Sequence, residues 1–131
     1  MKKAIFISLL SVLAFVATGV AQTPDSSGVP EKVPVFKTGV AGWIRFLELN
    51  LERDLLAKNN APLGKYTVIS SFIVETDGSV SDIQIESDRG YGTADEVKRV
   101  LLLSSKQWVP AYDKGQPVPY RHRQSITFVR N

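Results

Sequence analysis

The stretch YTVISSFIVETDGSVSDIQIES, residues 66–87, reads as two strands joined by a tight turn. From Tyr66 to Thr76 the chain alternates, with Val68, Phe72 and Val74 on one face and Ser70 among them. Asp77-Gly78 is a two-residue hairpin signal, because both residue types accept the backbone angles such turns require. Val80 to Ser87 forms the return strand. Its apolar residues Val80, Ile83 and Ile85 break strict alternation, which predicts a bulge near Ser81-Asp82.

Downstream, Asp88 to Gly92 is a glycine-bearing loop. Thr93-Ala94-Asp95-Glu96 matches a capping box, in which the threonine hydroxyl meets the N3 amide and the glutamate reaches back. Ala94, Val97, Val100 and Leu101 carry helical spacing to about Ser104. Trp108-Val109-Pro110-Ala111 leaves the helix, and Asp113-Lys114-Gly115 makes a turn. Pro117 and Pro119 limit pairing on the approach to a last strand. That strand alternates Tyr120, His122, Gln124, Ile126 and Phe128 against Arg121, Arg123, Ser125, Thr127 and Val129. A third strand that returns after a helix can leave one sheet edge unpaired, and such an edge is a docking site for an extended peptide.

Upstream, Trp43 to Ala57 carries Trp43, Ile44, Phe46, Leu47, Leu51 and Leu55 at helical spacing, with Glu48, Glu52, Arg53 and Lys58 largely opposite. Asn59-Asn60 and Pro62 end this helix. Residues 22–34, with Pro24, Pro30, Pro34 and a Ser-Ser-Gly tract, read as a short linker, which places a single domain at 35–131. Residues 1–21 read as an export signal. Lys2 and Lys3 form its positive head, Ala4 to Ala17 an uncharged apolar run, and Thr18 to Ala21 a small-residue cleavage region. The apolar run is short for a membrane span of about 20 residues. With Thr18 to Ala21 included, an uncleaved anchor stays open as an alternative.

The formal charge of the chain is +3, from 16 basic and 13 acidic residues. Removing residues 1–21 takes two lysines and no acid, leaving 14 against 13, or +1. No clustered positive face of the kind that nucleic acid requires is present. Absence of cysteine excludes disulfides, a thiol nucleophile and a lipidated cysteine at the signal boundary. His122 is the only histidine; flanked by Arg121 and Arg123 it makes a poor metal ligand and reads as a surface strand residue. The serines have no matching base and no nucleophile elbow, and Gly90-x-Gly92 lacks the third glycine and the lysine of a phosphate loop. No catalytic residue, cofactor or metal is expected, and the chain is not read as an enzyme. Trp108 reads as core. Arg121 and Arg123 read either as charge protection of an edge or as groups that capture an acidic or carbonyl-rich partner strand.

Several pieces, in order and spacing, resemble the C-terminal domain of the TonB energy transducers. They are Asn50-Leu51 with its step to Gly64, Phe72-x-Val74-x-x-Asp77-Gly78-x-Val80, Trp108-x-Pro110-Ala111, Gly115-x-Pro117-Val118 and Ile126-x-Phe128. The match covers about Val33 to Phe128. Gly90-Tyr91-Gly92-Thr93-Ala94 and the run Tyr120 to Phe128 resemble a subgroup common in Bacteroidota. The resemblance implies an α+β fold: a three-stranded antiparallel sheet, ordered second, first, third, with two helices packed on one face. It also implies that Tyr120 to Val129 is a free edge that receives the TonB box, a short extended segment of an outer-membrane receptor. The residues it nominates for that docking strand are Tyr120, Arg121, His122, Arg123, Gln124, Ser125, Ile126, Thr127 and Phe128.

The family often has Tyr-Pro after the Asn-Leu step, where this chain has Arg53-Asp54. A family transducer also carries a long proline-rich spacer. The 13 residues of the linker here reach under about 45 Å. The expectation is therefore a periplasmic, exported binding module that engages a TonB-box-like peptide by β-augmentation. The alternatives are a signal-anchored transducer in the inner membrane, working with motor proteins, and a homodimer joined through its edge strands.

Overall fold

The computed structural model describes residues 3–8 and 28–131. In chain order the elements are β1 (Lys3–Ser8), β2 (Val35–Phe36), α1 (Gly39–Asn50), α2 (Leu55–Lys58), β3 (Gly64–Val74) and β4 (Val80–Ser87). They continue with α3 (Thr93–Leu103), β5 (Trp108–Val109), β6 (Ala111–Asp113), β7 (Gln116–Val118) and β8 (Tyr120–Arg130). The rest of the stretch read as an export signal, and the linker as far as residue 27, lie outside the described residues.

The fold is α+β. β4, β3 and β8 form an antiparallel sheet with the first-made strand in the centre, and α3 makes the crossover from β4 to β5–β8. β3 is central because it can be paired on both sides: Tyr66, Val68, Phe72 and Val74 are all buried on its helix-covered face. α1 contributes Trp43 and Leu47 to that layer, and α3 contributes Val97, Val100 and Leu101. A fourth strand, β1, joins the sheet on the outer side of β8, giving the order β1-β8-β3-β4.

The return strand is bulged where its apolar pattern slips. Ser71 pairs with Gln84 and Ile73 with Ser81, so β4 carries one extra residue there, and Asp82 takes a φ of 46°. A second shift lies between Ile69 and Ser70. The first extra residue returns the apolar side chains to the core face, and Ile83 and Ile85 pack against the core.

The hairpin differs from the two-residue turn expected at Asp77-Gly78. Val74 pairs with Val80, Glu75 N–H donates to Ser79 O at 2.8 Å, and Gly78 N–H donates to Glu75 O at 2.9 Å. Three residues, Thr76 to Gly78, therefore make the loop, with Gly78 left-handed at φ 85°. The tip is docked, because Lys106 N–H donates to Gly78 O at 2.9 Å. A Cβ built at Gly78 would fall 2.3 Å from Trp108 O.

The helix expected over Trp43 to Ala57 is two helices. α1 starts earlier, at Gly39, and stops at Asn50; Leu51 is extended at φ −74°, ψ 139° before α2 begins at Leu55. The break keeps Leu51, Leu55 and Leu56 all in the core, and a tertiary contact holds it open. Glu96 of α3 accepts from Glu52 N–H at 2.8 Å and from Arg99 Nη2 at 2.6 Å. That contact also overturns the capping box. Gly92, not Thr93, precedes the helix, in the left-handed region at φ 83°. The Thr93 hydroxyl donates back to Gly90 O at 2.8 Å, and the Glu96 carboxylate is spent on Glu52 and Arg99.

The segment after α3 closes the core from below. Trp108 is buried in an aromatic group with Phe36, Trp43 and Phe72, at ring separations of 5.4, 4.8 and 5.6 Å. Phe36 reaches this group because β2 pairs with β5. Lys32 and Tyr112 exchange main-chain hydrogen bonds at 3.0 and 2.9 Å, so the end of the stretch read as a linker is fastened to β6. β6 and β7 form a tight hairpin across Lys114-Gly115, both at positive φ, the geometry that matches the strand twist.

Candidate peptide-docking edge

All nine residues nominated for docking lie on β8, paired one for one with β3 from Tyr120 opposite Val74 to Phe128 opposite Tyr66. Alternation sends Tyr120, His122, Gln124, Ile126 and Phe128 to the helix-covered face and Arg121, Arg123, Ser125 and Thr127 to the other. Ile126 and Phe128 are core residues. Gln124 is fully buried: its Oε1 accepts from Trp43 Nε1 at 2.7 Å, and its Nε2 donates to Ser125 O at 2.9 Å. This amide ties β8 to α1.

His122 is half-buried rather than an open surface residue. Its ring lies 5.3 Å from Phe72 and 5.5 Å from Trp108, and its shielded Nε2 meets no hydrogen-bond partner among the described residues. Burial pushes the imidazole down to about 4, so it is neutral near pH 7. The shift comes from burial alone, with no charged group contributing. Among the described residues no group of three His, Asp or Glu side chains could hold a metal.

The two arginines turn away from the edge and run across the sheet. Arg121 donates to Ser71 Oγ at 2.9 Å and to Asp82 O at 3.2 Å, and it forms an ion pair with the Asp82 carboxylate on the bulge of β4. Arg123 grips Glu86 through Nη2 at 2.6 Å and Nε at 3.0 Å. The Arg123 guanidinium holds the Glu86 carboxyl below its ordinary value. Of the two roles open from the sequence, capture of a partner's acidic groups loses its means, since both guanidiniums are engaged with β4. Thr67 and Thr127 join hydroxyls at 2.8 Å on the same face.

What remains for docking is the main chain of β8, and part of it is occupied. β1 runs antiparallel to β8 with Lys3 opposite Arg130, Ile5 opposite Phe128 and Ser8 opposite Ser125. The expected free edge is thus covered by the chain's own residues from Ser125 to Arg130, and residues 120–124 lie beyond that register. Ile5 is half-buried against the core, next to Phe128. The signal for this strand is in the sequence: Ile5-Phe6-Ile7 is β-branched and aromatic. The same run also suits the apolar centre of an export signal, so its composition fits both roles.

Among the described residues no helix is long and apolar enough to cross a membrane. Comparison of the chain with family models, characterised proteins and solved structures gave no match.

Proposed function

We propose that this protein is a TonB C-terminal-like binding module that takes up an extended peptide by strand addition along β8. The ligand class is the TonB box of an outer-membrane receptor, and the compartment is the periplasm. What supports the reading is that the outer side of β8 carries an extended segment in regular antiparallel register over six residues. The sheet order β4-β3-β8 with both long helices on one face accords with the same family type. Main-chain hydrogen bonds, each contributing about 0.5–1.5 kcal/mol net, would provide most of the affinity. The burial of Gln124, the packing of His122 against Phe72 and Trp108 and the tethering of both arginines leave the strand stiff and presented by its backbone.

Titration of the domain with isotopically silent TonB-box peptides, followed by amide shifts, tests this. Shifts concentrated at residues 120–129 are expected. Absence of binding, or shifts on the α1 or β4 side instead, would sink the reading. Self-association through the same strand would appear as concentration-dependent shifts of these amides without any peptide.

A further inference from the structure

We infer that residues 3–8 are the domain's own strand ligand, an exchangeable cover over the Ser125–Arg130 half of the docking strand. The inference rests on the proposed reading only in calling β8 a docking strand; the pairing itself does not depend on it.

Three observations separate β1 from the integral strands of the sheet. First, Ile5, the segment's one described side chain, is only half-buried, at the margin of the core. Second, β1 matches six residues of β8, whereas β3 pairs with β8 over eleven. Third, 19 residues, 9–27, separate β1 from the first described residue of the domain. A connection of that length gives an effective concentration on the order of millimolar. The cover therefore closes by mass action and yields to a competitor that binds better.

The segment also defines the chemistry the edge accepts: an antiparallel hexapeptide, β-branched and aromatic, with a basic residue at the end that faces Arg130. Its third residue sits beside Phe128. Because the segment falls within the stretch read as an export signal, cleavage would remove cover and signal together. Before export, a long hydrogen-bonding edge would be hidden from other chains; afterwards it would be open. A peptide competing with a cover closed nine-tenths of the time sees its affinity reduced tenfold.

The absence of cysteine makes the register testable in the full chain. Phe6 lies opposite Thr127. Facing Cα atoms in an antiparallel pair are about 4.5–5.5 Å apart, within disulfide reach. The pair Phe6→Cys/Thr127→Cys should close on mild oxidation. The pair Ala4→Cys/Ser125→Cys, four residues out of register, should not. A chain with native amide protection in β3 that forms no 6–127 disulfide, or forms both pairs equally fast, overturns the inference. Next, a labelled Lys-Ala-Ile-Phe-Ile-Ser peptide should bind the Ile5→Pro/Ile7→Pro chain about tenfold or more tightly than the unaltered chain, shifting amides 125–130. Equal binding overturns exchangeability. If this peptide binds as stated and TonB-box peptides do not, the cover stands and the proposed receptor ligand falls.

Discussion

Protonating His122 would set a charge between Phe72 and Trp108 with no acceptor for it among the described residues. Its folded pKa, about 4, lies below the ordinary 6.5, so the unfolded chain binds the proton first. Stability from this group is therefore complete above pH 6.5 and is lost as the pH falls toward 4, by up to about 1.4 kcal/mol per unit. Urea unfolding at pH 7, 5.5 and 4.5 should show a steeper loss for the native chain than for His122→Phe. Parallel curves would refute the assignment. The alternation of β8 already put His122 in phase with Ile126 and Phe128; its polar identity and charged neighbours outweighed the phase. Gly78 makes the opposite case. The glycine was readable as a turn, but the need for it is set by Trp108 O, 30 residues on. Gly78→Ala should cost about 2 kcal/mol or more in stability, measured by denaturant unfolding, from left-handed strain and the backbone clash together.

Between elements, the Glu96 carboxylate governs how α1, α2 and α3 meet. Burial alone would raise it, yet Arg99 and the Glu52 amide together hold it below its ordinary value. Glu96→Ala leaves the Glu52 N–H without its acceptor and should cost about 1–3 kcal/mol, with Glu96→Gln closer to native. Thermal unfolding of the two variants measures the difference. The break at Leu51 was not legible in the sequence, because apolar spacing continues across it and no proline or glycine marks it. The first turn of α3, which fixes it through Glu96, lies 44 residues away. By contrast the β4 bulge was legible, since Val80, Ile83 and Ile85 cannot share a face without an extra residue. The arginine pairs on the opposite face are exposed enough that Arg123→Ala should cost under about 1 kcal/mol in the same assay.

For the molecule as a whole, the individual strands and helices followed from local pattern, strand order and the shared helix face were expected only on the family resemblance, and the ownership of the β8 edge was legible in neither. Tyr66–Thr76 and Tyr120–Val129 each announce a strand by alternation, and α3 marks a crossover before the second, but neither pattern says which side of the hairpin β8 joins. Residues 3–8 carry two compatible meanings, export signal and strand, and composition cannot choose between them.

Trp43 and Trp108 are the chain's only tryptophans, and their rings sit edge to face at 4.8 Å. Two indoles this close behave as coupled oscillators, so their transitions should split into a circular-dichroism couplet that neither ring gives alone. The ring of Trp43 is clamped by the Gln124 amide, and that of Trp108 lies against His122. Any displacement of β8 tilts one indole against the other. The protein thus contains a built-in optical gauge of β8, readable without a label.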